Sequence, residues 1–130
     1  MEKANLKTEN LKKEVIKIFK NHGLSNPHAV ISTNALINAE LVGAYGHGLS
    51  RLRMYCERIS KKVINPKPRI KVKKISQSIA HINADNSIGF VAADLAIRKA
   101  IECAKKTGIG LVAVKTVSYT HLTLPTICSV

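Results

Sequence analysis

The sequence predicts an α/β chain in which an N-terminal helical module gives way, near residue 70, to strands and one long helix. Three observations carry this reading. Apolar residues recur at helical spacing through the first half of the chain. Two stretches beyond residue 69 alternate with a period of two. An alanine-rich run then leads directly into a continuous apolar one, as in an α/β layer.

In the first helix, Leu6, Leu11, Val15, Ile18 and Phe19 fall on one face from about residue 6 to 21, with lysines opposite. Gly23 fits its C-terminal stop, and His22 reads as a last-turn cation. A second helix opens at Ser25-Asn26-Pro27, with Asn26 as N-cap, Pro27 in the first turn and His28 exposed. Val30, Ile31, Leu36, Ile37 and Leu41 supply its apolar positions, and Gly43 ends it. After the Gly46–Leu52 stretch, Leu52, Tyr55, Cys56 and Ile59 carry a third helix to about Lys62, with Cys56 a core residue rather than a nucleophile.

Asn65-Pro66-Lys67-Pro68 is a breaker. Ile70–Ile75 and Ser78–Ala84 read as strands joined by a turn near Gln77, with no role for His81. Asp85-Asn86-Ser87 is turn chemistry and a possible helix cap before the alanine-rich helix, Val91 to Lys106. Gly108 closes that helix, and Ile109–Val114 reads as a strand buried on both faces. The only boundary this pattern suggests lies between residues 69 and 70.

The chain of 130 residues is at most one ordinary domain, and its 45% hydrophobic content fits a globular class. No apolar run approaches a membrane span, and Met1–Lys7 lacks the apolar core of a signal peptide. Cys56, Cys103 and Cys128 are odd in number without a C-x-x-C, which argues for free thiols, no zinc site and a cytoplasmic location. The net charge of +13 points to an acidic partner. Lys61, Lys62, Lys67, Arg69, Lys71, Lys73 and Lys74 form a basic stretch, but no aromatics are interleaved for base stacking and no nucleic-acid motif is present. A small basic nucleic-acid-binding protein is therefore the alternative reading, and a salt titration would expose it.

The chemistry concentrates in Gly46-His47-Gly48-Leu49-Ser50-Arg51-Leu52. Imidazole exchanges a proton near neutral pH, while guanidinium stays charged and presents a planar fork to a carboxylate. If the run is helical, residues four apart share a face, so His47 and Arg51 could meet one small acid. Gly46-His47-Gly48 is not a dinucleotide loop, because Arg51 stands where the third glycine belongs and a helix precedes it.

These residues resemble the type 2 malate/L-lactate dehydrogenase family, whose relatives include ureidoglycolate, diketogulonate and cyclic-imine reductases. The resemblance rests on Gly46–Leu52, Tyr55, Glu57-Arg58-Ile59, Ile64-Asn65-Pro66, Asp85–Gly89 and Lys106–Lys115, and runs without a gap from about Asn10 to Lys115. It implies NAD(P)-linked interconversion of 2-oxo and 2-hydroxy acids, with NAD or NADP as cofactor and a homodimer at full length. It also implies that His47 is the proton donor to the substrate oxygen and Arg51 the carboxylate anchor. Residues 1–69 are then the helical module, and 70–116 the beginning of an α/β cofactor-binding domain. Two positions depart from the family pattern: Gly46 replaces the usual serine, and Tyr45 stands where an acidic residue is common.

The end of the chain carries a second resemblance. Val117–Thr126 looks like the in-frame translation of a transposase sequencing adapter, and no Lys, Arg, Asp or Glu occurs from Val117 to Val130. Residues 117–130 are therefore expected to be a non-native tail, which removes His121 and Cys128 from consideration. The family's second histidine would fall at Tyr119. The expected product is thus an N-terminal fragment, inactive as truncated, with most cofactor-contacting residues downstream.

Overall fold

The computed structural model describes residues 6–118 and the backbone of 127–129. Two compact units divide the chain, Met1–Lys62 and Val63–Val130.

The first unit is built from α1 (Thr8–Asn21), α2 (Asn26–Leu41), two 3₁₀ turns (Tyr45–His47 and Leu49–Arg51) and α3 (Leu52–Ser60). Val15 and Phe19 are the buried residues of α1, which lies against α2. A Schellman closure ends α1: Leu24 N–H reaches back to Phe19 O at 3.2 Å, and Gly23 N–H to Lys20 O at 2.9 Å. Gly23 takes the left-handed conformation this requires, at φ +97°. The same device ends α2, with Ala44 N–H to Ala39 O at 2.8 Å and Gly43 N–H to Glu40 O at 3.0 Å.

Several details of the helical reading need correction. Ser25, not Asn26, is the N-cap of α2, and it makes no side-chain capping bond. The buried stripe of α2 is Ala29, Ser32, Thr33, Leu36 and Ile37, a regular i, i+3, i+4, i+7, i+8 series. Two hydroxyl residues therefore occupy positions that a search for apolar types passes over, while Leu41 is exposed. His28 is half-buried rather than exposed, and that burial pushes its imidazole below the ordinary value. The third helix begins at Leu52 as expected, but the run just before it is not α-helical: a 3₁₀ turn covers Leu49–Arg51.

The second unit begins with a tethered linker. Asp85 Oδ2 accepts from Asn65 Nδ2 at 3.0 Å and from Arg69 N–H at 2.8 Å, and Asn65 N–H donates to Asn86 O at 2.9 Å. These bonds assign residues 65–69 to the second unit, so the division falls at 62/63 where the composition change suggests 69/70.

The sheet runs in the order β1 (Lys71–Lys74), β2 (Ile79–Ser87), β3 (Ile109–Val117), β4 (Ile127–Ser129). β1 and β2 form an antiparallel hairpin, β2 and β3 are parallel, and β4 pairs antiparallel with β3. Helix α4 (Gly89–Thr107) makes the crossover between the parallel strands. Ala80, Ile82, Ala100 and Val112 form the core of this layer, with Ile70, Leu95, Ala96 and Val114 packed against it. The helix comes so close to the strand that a Cβ on Gly110 would overlap the Ala100 carbonyl, 2.8 Å from its carbon. Gly108, at φ +82°, makes the turn into β3.

Two strand expectations are also corrected. Asp85-Asn86-Ser87 is not a turn but an irregularity inside β2, with Asp85 and Asn86 at φ +49° and +55° and a register shift against β3. Ile88 precedes α4 as its N-cap, without a side-chain capping bond. β3 is not buried on both faces: Gly110 and Val112 are buried, while Ile109 and Leu111 are exposed. Only one face of the strand meets α4, so residue type overstated the burial.

Candidate functional site

The end of α2 sets the position of the candidate site. Its Schellman closure at Gly43 turns the chain into the two short 3₁₀ turns that carry His47 and Arg51. His47 N–H donates to Ala44 O at 2.8 Å and Arg51 N–H to Gly48 O at 3.0 Å, so each turn is closed within itself. Gly48 lies between them at φ −95°, ψ −139°, outside any helical conformation. This overturns the premise that His47 and Arg51 lie one helical turn apart on a common face. They stand instead on successive turns of one short segment, with both side chains exposed.

Three further bonds tie this segment down. Arg51 Nε donates to Gly46 O at 2.7 Å, Ser50 Oγ donates to Tyr45 O at 2.7 Å, and Leu49 N–H donates to Glu40 Oε1 at 2.7 Å. The first orients the guanidinium, since among the described residues only Nε is committed to the backbone. The two terminal nitrogens carry their N–H groups in a planar fork, a geometry that matches a carboxylate. The Glu40 bond is one that sequence reasoning missed. The available signal was a lone carboxylate in the last turn of an apolar helix, where the macrodipole disfavours it.

The departure at Gly46 leaves space, because a Cβ there would meet nothing within 4 Å. Cys56 is buried, as expected, and burial pushes its thiol up, keeping it protonated and inert at neutral pH. Among the described residues no group of three or more His, Cys, Asp or Glu could hold a metal ion. Gly46-His47-Gly48 does not fit a dinucleotide either: Gly46 lies in a 3₁₀ turn and Gly48 between two such turns, not in a strand-to-helix turn. Tyr119, His121 and the side chain of Cys128 lie outside the described residues.

Comparison with known proteins gives a consistent result. The malate/L-lactate dehydrogenase family model matches residues 6–124, reaching into the segment set aside as a tail. An L-sulfolactate dehydrogenase of Methanocaldococcus jannaschii is 36% identical over 114 residues, which are 88% of this chain and 33% of that protein. A ureidoglycolate dehydrogenase (NAD(+)) of Escherichia coli is 34% identical over 92 residues, 71% of this chain and 26% of the relative. The solved structure of malate dehydrogenase from Pyrococcus horikoshii superposes with a TM-score of 0.84 at 29% identity, over 88% of this chain and 33% of that one. The chain thus spans between a quarter and a third of the length of these relatives. Since the match runs through both compact units and is not confined to the histidine motif, the chain belongs to the malate/L-lactate dehydrogenase family.

Proposed function

We propose that this chain is the N-terminal part of an NAD(P)-dependent oxidoreductase that interconverts small 2-oxo and 2-hydroxy acids. His47 is the acid/base and Arg51 the carboxylate anchor. The observation that carries the reading is the Arg51 Nε–Gly46 O bond, which presents the terminal guanidinium nitrogens beside the turn holding His47. A ketone that gains a hydride needs a proton on its oxygen, and an exposed imidazole at the end of a closed 3₁₀ turn can deliver one. A carboxylate held by Arg51 keeps the neighbouring carbonyl in place while that proton moves. The nicotinamide cofactor, when bound, supplies the hydride.

Both cofactors occur among the relatives' names: the ureidoglycolate enzyme is named for NAD(+), and a (2R)-3-sulfolactate dehydrogenase of Chromohalobacter salexigens for NADP(+). The longer enzyme is proposed to be a cytoplasmic homodimer. No helix among the described residues is long and apolar enough to cross a membrane. The nucleic-acid alternative gains no support, since each relative named above is a dehydrogenase.

Residues 117–130 are proposed to be non-native, on the strength of their adapter-like sequence and lack of charge. The decisive experiment is to amplify the source locus from inside the His47 codons and read past Lys115. A frame that continues into a further long α/β region supports the proposal. The recovered enzyme should then oxidise NADH or NADPH with a 2-oxo acid. A genomic frame ending in Thr126-Ile127-Cys128-Ser129-Val130 would overturn it.

A further inference from the structure

We infer that Glu40 is a positioning residue that holds the His47–Arg51 segment in place, a role that deepens the proposed function and rests on it. Glu40 grips the chain twice. Its backbone carbonyl accepts Gly43 N–H at 3.0 Å in the closure that ends α2, and its side chain accepts Leu49 N–H at 2.7 Å. Main chain and carboxylate thus clamp the two ends of the stretch that carries His47, and Arg51 follows within the next turn. A three-residue 3₁₀ turn leaves its first N–H groups without internal partners, and a charged acceptor makes the strongest replacement.

A second observation makes this more than a cap. Gly48 is buried, and a Cβ there would collide with the Glu40 carboxylate, 2.7 Å from Cδ and 2.9 Å from Cγ. What a Cβ at Gly48 would meet is the far end of the Glu40 side chain, so a side chain at this position would have to displace the carboxylate from the place where it accepts Leu49 N–H. Glu40 and Gly48 therefore form a fitted pair. The Arg51–Gly46 and Ser50–Tyr45 bonds link the two turns to each other, and Glu40 fixes that unit to α2.

The test combines amide hydrogen exchange on the 130-residue chain with kinetics on the longer enzyme, using Glu40→Gln, Glu40→Ala and Gly48→Ala. Glutamine keeps an Oε1 acceptor and alanine does not. The Leu49 amide is expected to stay protected in the wild type and Glu40→Gln, and to exchange about tenfold faster or more in Glu40→Ala and Gly48→Ala. Amides in the middle of α1 should not change. In the enzyme, Glu40→Ala should raise KM for the 2-oxo acid and lower kcat, with Glu40→Gln restoring most of both. Unchanged Leu49 protection in Glu40→Ala would overturn the inference, as would glutamine performing no better than alanine. Faster exchange with wild-type kinetics would overturn it too. If Glu40→Ala does not fold, Gly48→Ala attacks the same contact from the other side. Wild-type kinetics in both His47→Ala and Arg51→Ala would instead sink the functional reading, whatever the Glu40 variants do to Leu49 exchange.

Discussion

Replacing Arg51 tests the proposed anchor most directly. Its Nε is held by Gly46 O at 2.7 Å, so the guanidinium is pre-oriented before any substrate arrives. Arg51→Ala removes both the backbone tie and the two terminal nitrogens. A hydrogen bond to a charged group contributes about 1.5–3 kcal/mol, and the exposed setting argues for the lower half of that range. At about 1.4 kcal/mol per tenfold change, KM for a 2-oxo acid should rise roughly 12- to 40-fold, with kcat changing far less. Arg51→Lys should recover little, because one ammonium group cannot hold Gly46 O and also offer a planar fork to a carboxylate. The assay is steady-state oxidation of NADH or NADPH by the longer enzyme across a series of 2-oxo acid concentrations. A KM within about twofold of wild type in Arg51→Ala would refute the anchor role.

Three other perturbations have expected outcomes. His47→Ala should lower kcat of the longer enzyme by about 10²- to 10⁴-fold with little effect on KM, and pre-steady-state kinetics would locate the loss in the chemical step. Gly110→Ala should destabilise the second unit by about 1–3 kcal/mol in urea unfolding, since the new Cβ meets the Ala100 backbone, which cannot rotate away. Folding lowers the His28 pKa by desolvation, so its neutral form is favoured. That contribution is fully present above the unfolded value of about 6.5 and is lost as pH falls through the lowered folded value. His28→Gln should flatten the acid side of a stability-against-pH curve measured by thermal unfolding.

The helices and strands were legible in the sequence because their signals are local. Gly23, Gly43 and Gly108 each follow a helical run and each takes a positive φ at its end. Val15, Phe19, Tyr55 and Ile59 are buried where their spacing places them. What could not be read depended on contacts across the chain. Ser32 and Thr33 are buried because of the phase they occupy on α2, not because of their chemistry. Asp85 reads as turn material, yet it bends within a strand and holds a linker sixteen to twenty residues upstream. In the candidate site, His47 and Arg51 were visible as residue types, but the break at Gly48 was not. Glu40 lies nine residues before the amide it holds, beyond the reach of any short spacing rule.

The double closure at the end of α2 also bears on which insertions and deletions the chain can tolerate. Each helical residue advances about 100° around the axis, so adding or removing one between Ile37 and Glu40 would swing the carboxylate about a quarter-turn away from Leu49. Gly43 and the two 3₁₀ turns after it would turn by the same angle relative to the buried stripe from Ala29 to Ile37. The length of α2 therefore acts as a ruler for the orientation of the histidine, counted from the buried stripe of the same helix. Single-residue length changes in this helix should be tolerated far less than changes in residue type at its exposed positions.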